Sequence, residues 1–253
     1  MQATTWTTKT LVTMHEGAPT YVDVFAGCGG LSLGLHQAGW RGLFAVEKDT
    51  FAFETLSANF LKQNSRFVFD WPTWLKKAPT TIEDLLRDHG DELRQLRGKI
   101  DMLAGGPPCQ GFSSAGRRRA DDPRNSLVER YLELVEVLQP RVLLLENVRG
   151  FTLDFKARPG KGMRERENAA AQLQRRLSSS YDVEAQILRA SDFGVPQSRP
   201  RFILVAVRKD SDALSGALDD LRATAAIVTQ RHGIGLFNSA ADAISDLELA
   251  RND

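Results

Sequence analysis

Short apolar runs alternate along this chain with segments whose apolar residues recur at helical spacing. The apolar runs occupy residues 21–25, 43–46, 66–69, 100–104, 142–145 and 202–207, and over 183–187 apolar and polar residues alternate as in a strand. Apolar runs of this length, bounded by turn residues, are typical of buried strands. The repeated order of strand and helix therefore predicts an α/β fold in which a mostly parallel sheet is flanked by helices.

Capping residues mark several helix boundaries in the same pattern. Helices are expected over residues 31–38, 51–59, 81–96, 123–138 and 169–177. Thr81 and Asp84 form a capping pair, and Asp122 followed by Pro123 is a typical helix start. Pro140 ends the helix before it, because proline cannot continue a helical hydrogen-bond pattern.

Composition is that of a soluble globular protein. The 253 residues are 42% hydrophobic and 26% charged, which is enough for one large domain. No apolar run approaches the ~20 residues of a membrane span and the N-terminus lacks a signal-peptide core, so we expect a cytoplasmic protein without a membrane partner, nucleoid-associated if bacterial. The spacing of Cys28 and Cys109 is unsuited to zinc, so no metal is expected.

Several chemically useful features directly follow predicted strands. They are the turn Gly27–Gly30, Glu47, Asp70, Cys109 and Glu146. In open parallel sheets, ligands bind beyond the carboxyl ends of the strands, which meet at one edge. We therefore expect these features to converge into one site although they are far apart in the sequence.

The first turn suits a nucleoside without phosphates. Its glycines at positions 27, 29, 30 and 34 do not fit the dinucleotide pattern G-x-G-x-x-G. Glu47 stands where an acid can accept hydrogen bonds from both ribose hydroxyls, and Asp70 could accept from an adenine amino group. The set suits S-adenosylmethionine. Taken alone, the turn is equally compatible with any strand–helix unit that needs glycines at its corner.

A rigid turn presents a cysteine after the run 100–104. Its sequence is Gly105-Gly106-Pro107-Pro108-Cys109-Gln110-Gly111-Phe112-Ser113. Proline fixes φ and glycine tolerates unusual conformations, so a side chain at the tip of this turn is exposed to a reactant. Cys109 is therefore a candidate thiolate nucleophile. The alternative is a small buried hydrophobic residue.

These motifs together resemble the cytosine-5 DNA methyltransferases. The resemblance covers residues 20 to 207 and rests on motifs in the family's order, namely 23–30, 46–49, 70–71, 105–113, 146–148 and 197–201. It implies a Rossmann-like fold that uses S-adenosylmethionine and acts on double-stranded DNA. An RNA cytosine-5 methyltransferase shares the Pro-Pro-Cys motif and is the nearest alternative, although Gly111 to Ser114 resembles the DNA-directed enzymes more.

The resemblance also implies a set of cofactor-binding residues. In it, Phe25 would stack on the adenine, Glu47 would bind the ribose and Pro108 would line the pocket of the methyl donor. The full set is Asp23, Phe25, Ala26, Gly27, Cys28, Gly29, Gly30, Glu47, Lys48, Asp70, Trp71 and Pro108.

The same resemblance assigns the catalytic residues. Cys109 would attack C6 of the cytosine, protonated Glu146 would hold N3, and Arg201 would donate to O2. Asn147 and Arg199 would hold the cysteine loop, and Gln110 completes the catalytic set. By themselves, an acid after a strand is more often a helix cap, and arginines before a strand are ordinary surface residues. The alternation of Gln197, Arg199 and Arg201 instead suggests that they share one strand face.

The loop after the cysteine is a candidate DNA contact. It carries Ser113 and the run Arg117, Arg118 and Arg119, and such a loop can contact phosphates and close over a flipped-out base. A solvated basic loop is the alternative for the arginine run. The net charge of +1 is lower than that of many complete DNA-binding enzymes.

The ends of the chain complete the predicted organisation. We expect a disordered tail over 1–19, a catalytic and cofactor-binding domain over 20–209, and a connector over 210–253. Residues 241–247 resemble the family's connector to a target-recognition domain, and Leu236 to Ser239 lacks the glycine of its last motif. We therefore expect a second protein chain that carries target recognition. The alternatives are a truncated product and a cofactor-binding or regulatory subunit without activity.

Overall fold

A computed structural model describes residues 17–62, 64–108, 126–153 and 168–211, together with Ala223, Gln230 and Ser239. The described part contains one six-stranded sheet in the order β2-β1-β3-β4-β6-β5. Its strands are β1 (Thr20–Val24), β2 (Arg41–Val46), β3 (Met102–Gly105), β4 (Val142–Val148), β5 (Tyr181–Arg189) and β6 (Pro200–Arg208). In this sheet β6 runs antiparallel to both of its neighbours, β4 and β5, and the other described pairs are parallel. The predicted mostly parallel α/β fold is confirmed.

Six α-helices lie against this sheet in the described ranges. They are α1 (Gly30–Gln37), α2 (Thr50–Phe60), α3 (Ile82–Asp88), α4 (Gly90–Gln95), α5 (Ser126–Leu138) and α6 (Ala169–Leu177). The α5 helix ends two residues before Pro140, as predicted. Asp122 and Pro123, the residues 1–16 and most of the predicted connector lie outside the described residues. In the described ranges, no helix is long and apolar enough to span a bilayer.

Two hydrophobic clusters explain why the central strands are apolar on both faces. One cluster joins the sheet to α3, α4, α5 and α6, and the other joins it to α1 and α2. The strand β1, which pairs with both β2 and β3, is buried along its whole length. Helices on both faces leave its residues no contact with water, as expected for a parallel sheet.

The predicted strand at 66–69 is wrong, because these residues form no strand in the structure. The segment instead packs by its aromatic side chains. The Phe69 ring lies so close to Gly42 that a Cβ there would come within 2.5 Å of it. Aromatic packing against the edge of the sheet, and not a ladder of backbone hydrogen bonds, therefore places this segment.

The predicted helix over 81–96 is divided into α3 and α4. His89 has φ −127° and ψ 27°, which is not helical, and Gly90 begins the second helix. Glycine weakens a helix interior, and the acids Asp91 and Glu92 favour a new helix start because they interact well with its positive end. The capping pair was correctly predicted, since Thr81 Oγ1 accepts a hydrogen bond from the Asp84 backbone N–H at 3.0 Å.

Candidate functional site

A cavity of about 220 Å³ lies at the carboxyl edge of the parallel strands. Residues from the ends of β1, β2 and β3 contribute to it, together with the start of α3 and one residue of α5. Its lining comprises Phe25, Val46, Glu47, Lys48, Thr80, Thr81, Ile82, Glu83, Gly106, Pro108 and Leu127. The expected convergence of strand ends is therefore seen for the first three strands.

The turn after β1 approaches this cavity with unusual backbone angles. Phe25, Gly27 and Gly29 have φ values of 61°, 56° and 90°. A Cβ at Gly27 would meet open space, whereas a Cβ at Gly29 would lie 2.5 Å from the Phe60 ring. Glycine at position 29 is thus required for packing, and Gly27 leaves room in front of its backbone where a ligand can approach.

Glu47 joins two turns at the edge of the cavity. One carboxylate oxygen accepts from the Gly27 backbone N–H at 2.8 Å, and the other accepts from the Asp49 N–H at 2.7 Å. A carboxylate has about four acceptor positions, so both oxygens keep capacity for a further donor. Glu47 can therefore hold the glycine-rich turn and still bind hydroxyl groups in the cavity.

Asp23 supports the turn from behind. Its side chain is 1% exposed and accepts a hydrogen bond from the Ser32 hydroxyl at 2.5 Å. Burial raises the pKa of Asp23 to about 7, against the opposing hydrogen bonds from Ser32, and the charge of Glu47 adds to the rise. The structure therefore gives Asp23 a role in fixing α1 to β1, and places its carboxyl outside the lining of the cavity.

Other members of the first predicted motif face elsewhere. Cys28 is exposed and, with Gly29 and Gly30, lines a separate groove of about 640 Å³ that also contacts α2. Ala26 is half-buried, and its carbonyl accepts from the Gly29 N–H at 2.9 Å. Of this motif, Phe25 lines the cavity, and the Gly27 backbone N–H donates to Glu47, which also lines it.

Asp70 does not line the cavity at the strand ends. Its backbone N–H donates to the carbonyl of Gly42, and its carboxylate pairs with Arg41 at 3.1 Å. Gly42 and Arg41 lie at the amino end of β2. At about 3.3 Å per residue, the strand spans roughly 16 Å between Gly42 and Glu47. Trp71 is also absent from the cavity lining, because its indole donates to the Leu75 carbonyl and its ring packs in the core.

The segment Thr80–Glu83 occupies the place where Asp70 was expected. The Thr80 N–H donates to the carbonyl of Glu47 at 2.8 Å, which fixes the start of α3 next to the end of β2. Sequence reasoning found the helix start through its capping pair but gave it no part in the site. The missing information was the path of residues 70–80, which only the tertiary structure provides.

The ends of β3 and β4 are joined beyond their last ladder pair. The Asn147 side chain is 3% exposed, donates from Nδ2 to the Pro107 carbonyl at 2.9 Å and accepts at Oδ1 from the Val148 N–H. Asn147 thereby holds the Pro107-Pro108 turn against β4. Cys109, Gln110, Ser113 and the arginines 117–119 lie outside the described residues, which resume at Ser126.

An ion pair lies on the neighbouring strands. Arg201 Nε is 2.5 Å from Glu146 Oε1, and their side chains are 25% and 40% exposed. The antiparallel ladder places Arg201 opposite Val148, so it lies diagonally across from Glu146 on the same face of the sheet. Gln197 and Arg199 are exposed and precede β6, which starts at Pro200, so the predicted strand alternation includes only Arg201.

Comparisons with known proteins agree on one family. The family model of C-5 cytosine-specific DNA methylases matches residues 20–232. The type II methyltransferase M.XorII of Xanthomonas oryzae pv. oryzae is 37% identical over 197 residues, which are 76% of this chain and 41% of that protein. M.AquIA of Picosynechococcus is 34% identical over 190 residues, 74% of this chain and 71% of that protein.

A solved structure shares the architecture. A DNA modification methyltransferase encoded within an E. coli prophage superposes with a TM-score of 0.57 and 31% identity, over 79% of this chain and 49% of that one. The chain spans about half of the prophage enzyme and less than half of M.XorII. From the family match over most of its length, and from these relatives, the chain belongs to the C-5 cytosine-specific DNA methylases.

Proposed function

We propose that this chain transfers a methyl group from S-adenosylmethionine to C5 of cytosine in DNA. The observation that carries the proposal is the arrangement around Gly106. This residue lines the cavity and lies next to Glu146 of the Glu146–Arg201 pair, and the sequence continues from it into the turn before Cys109. A methyl donor and an activated base can therefore be held next to each other.

The cavity fits an adenosine-type methyl donor. Glu47 offers acceptor positions to the ribose hydroxyls, Phe25 offers apolar surface to the adenine, and Gly27 leaves space in front of its backbone. Asp70 and Trp71 are left out of this site, and Thr80 to Glu83 replace them. When bound, S-adenosylmethionine supplies the methyl group as an electrophile.

The proposed chemistry starts with the Cys109 thiolate. Cytosine C5 is a poor nucleophile, and addition of the thiolate to C6 makes a bond that moves electron density to C5. C5 would then take the methyl group as the S–CH3 bond of the sulfonium donor breaks and leaves a neutral thioether. A base would remove the C5 proton, and the thiolate would leave C6 as the ring recovers its double bond. Glu146 at N3 and Arg201 at O2 would offset the negative charge on the ring. A base inside a duplex is out of reach, so the target cytosine must be flipped out.

Target recognition is the part for which we infer a second chain. The first relatives are matched over less than half of their length, whereas M.AquIA is matched over 71% of its length. Phe51 is 79% exposed on α2, which is unusual for a phenylalanine and consistent with a covered surface in an assembly. Ser113 and the arginines 117–119 are the proposed DNA contacts of this chain.

The proposal is tested by cofactor binding and covalent trapping. We expect the chain to bind S-adenosylmethionine in a calorimeter and to form a covalent adduct with an oligonucleotide that contains 5-fluorocytosine. Cys109→Ala should abolish the adduct and keep cofactor binding, whereas Glu47→Ala should weaken cofactor binding. Glu54→Ala, an exposed acid on α2, is the matched control. An adduct in the Cys109→Ala variant would show that the proposed nucleophile is wrong.

The partner is tested separately. Methyl transfer to mixed-sequence DNA is measured with the chain alone and after addition of lysate from the source organism. Activity that needs the lysate, and is lost with Cys109→Ala, supports a partner chain. Equal sequence-specific activity without the lysate contradicts it. Adduct formation on RNA but not on DNA would favour the RNA-directed alternative.

A further inference from the structure

Gly106 lies next to both the cavity and the Glu146 carboxylate. It lines the cavity, and a Cβ built on it would lie 3.2 Å from Glu146 Oε2 and 3.0 Å from the Glu146 carbonyl oxygen. Both distances are shorter than ordinary contacts, and the nearest neighbours of such a Cβ all belong to Glu146. A side chain at position 106 would therefore press on the acid.

The glycine at this position is required for space and not for backbone conformation. The left-handed φ values belong to other glycines, such as Gly27 and Gly29, and Gly106 is not among them. Gly105 differs again, since a Cβ there would come within 2.6 Å of the Val24 carbonyl oxygen and disturb the pairing of β1 with β3. The two neighbouring glycines thus have different roles, one in the sheet and one beside the acid.

Glu146 is held from a second side by Arg201. The β3–β4 ladder ends at the pair Gly105 and Leu145, so Gly106 and Glu146 are the first residues beyond it. The Glu146 carboxylate lies against Gly106 through Oε2 and against Arg201 through Oε1. The next residues are joined by the hydrogen bond from Asn147 to Pro107. The position of the carboxylate is therefore defined on both sides.

We propose that Gly106 is a positioning residue whose lack of a side chain sets where the Glu146 carboxylate stands relative to the methyl donor. A methyl group at position 106 displaces that carboxylate from its place beside Arg201 and beside the wall of the cavity. The role in methyl transfer rests on the proposed function. The contact between Gly106 and Glu146 does not rest on the proposed function, so the contact and the role in methyl transfer can be tested separately.

The contact is tested by a double-mutant cycle in urea unfolding. Gly106→Ala, Glu146→Ala and the double variant are compared with the wild type. The matched control is Gly34→Ala in α1, where a Cβ meets open space. We expect Gly106→Ala to lower the folding equilibrium constant by at least about threefold more in the wild type than in the Glu146→Ala background, as for residues in contact. Gly34→Ala should show no such coupling, and additive effects of Gly106→Ala and Glu146→Ala would overturn the inference.

The role in the reaction is tested on the folded Gly106→Ala chain. At saturating S-adenosylmethionine, adduct formation with a single-stranded 5-fluorocytosine oligonucleotide should slow by about tenfold or more, as for impaired acid–base assistance. Cofactor affinity should stay close to that of the wild type. Weakened cofactor binding with unchanged trapping would overturn the inference, because the new methyl group would then act on the cavity. A wild-type chain that neither binds the cofactor nor traps the base would contradict the proposed function, and the unfolding cycle would still decide whether Gly106 positions Glu146.

Discussion

The buried carboxyl of Asp23 allows a quantitative prediction of stability against pH. Burial raises its pKa from an ordinary 3.8 to about 7 in the folded state. Between these values the unfolded chain loses the proton while the folded chain keeps it, so stability falls as pH rises and the cost is complete above about pH 7. At 1.36 kcal/mol per tenfold change in proton affinity, the total is at most about 4 kcal/mol.

The Asp23→Asn variant removes this titration and preserves the shape of the side chain. Urea unfolding of the wild type and of Asp23→Asn is measured from pH 4 to 9. The difference between their unfolding free energies removes the contribution of every titrating group that the two proteins share. The difference should shift in favour of the variant by up to about 4 kcal/mol as pH rises from 4 to 8, and stay level above that. Parallel curves over this range would refute the assignment of a raised pKa to the Asp23 carboxyl.

The Ser32→Ala variant checks the cause of the effect. The Ser32 hydroxyl donates to the carboxylate at 2.5 Å and so favours the ionised form. Its removal should raise the pKa of Asp23 in the folded state further, so the loss of stability should begin at the same pH and extend to higher pH. A shift to lower pH would mean that the hydrogen bond has the opposite effect on the pKa of Asp23.

Two further predictions concern the site. Asn147→Ala leaves the buried Pro107 carbonyl without its donor, so it should lower the unfolding free energy, measured in urea, by about 1–3 kcal/mol. It should also slow covalent trapping. An unchanged unfolding free energy would contradict the role of Asn147 in joining β3 to β4. Asp70→Ala removes an exposed ion pair with Arg41 and should lower the unfolding free energy by about 1 kcal/mol or less. The affinity for S-adenosylmethionine, measured by calorimetry, should not change. Weakened affinity would support the binding of adenine by Asp70.

Local patterns predicted the elements well because their signals lie within a few residues. The strands at the centre of the sheet, the helix that ends before Pro140 and the capping pair of Thr81 with Asp84 follow from apolar spacing and capping chemistry. The failures are also local. Aromatic alternation at 66–69 resembled a strand, and a glycine after His89 interrupted a predicted helix.

The residues of the site were predicted less evenly. Phe25, Glu47 and Pro108 reach the cavity, and Glu146 meets Arg201, because each is tied closely to the end of a strand. Asp70 was placed by its position after a supposed strand, and no strand exists there to bring it to the site.

By itself, the sequence determined the order of strands and helices, the family and the chemical character of the strand ends, since these depend on short-range periodicity and on motifs. Only the tertiary structure decided that Thr80 to Glu83 line the cavity, that Asp23 is buried behind the turn, and that Gly106 lies against Glu146. Those relations depend on which strands are neighbours and on the path of the loops between them. Both are set by packing over the whole sheet, which no short stretch of sequence contains.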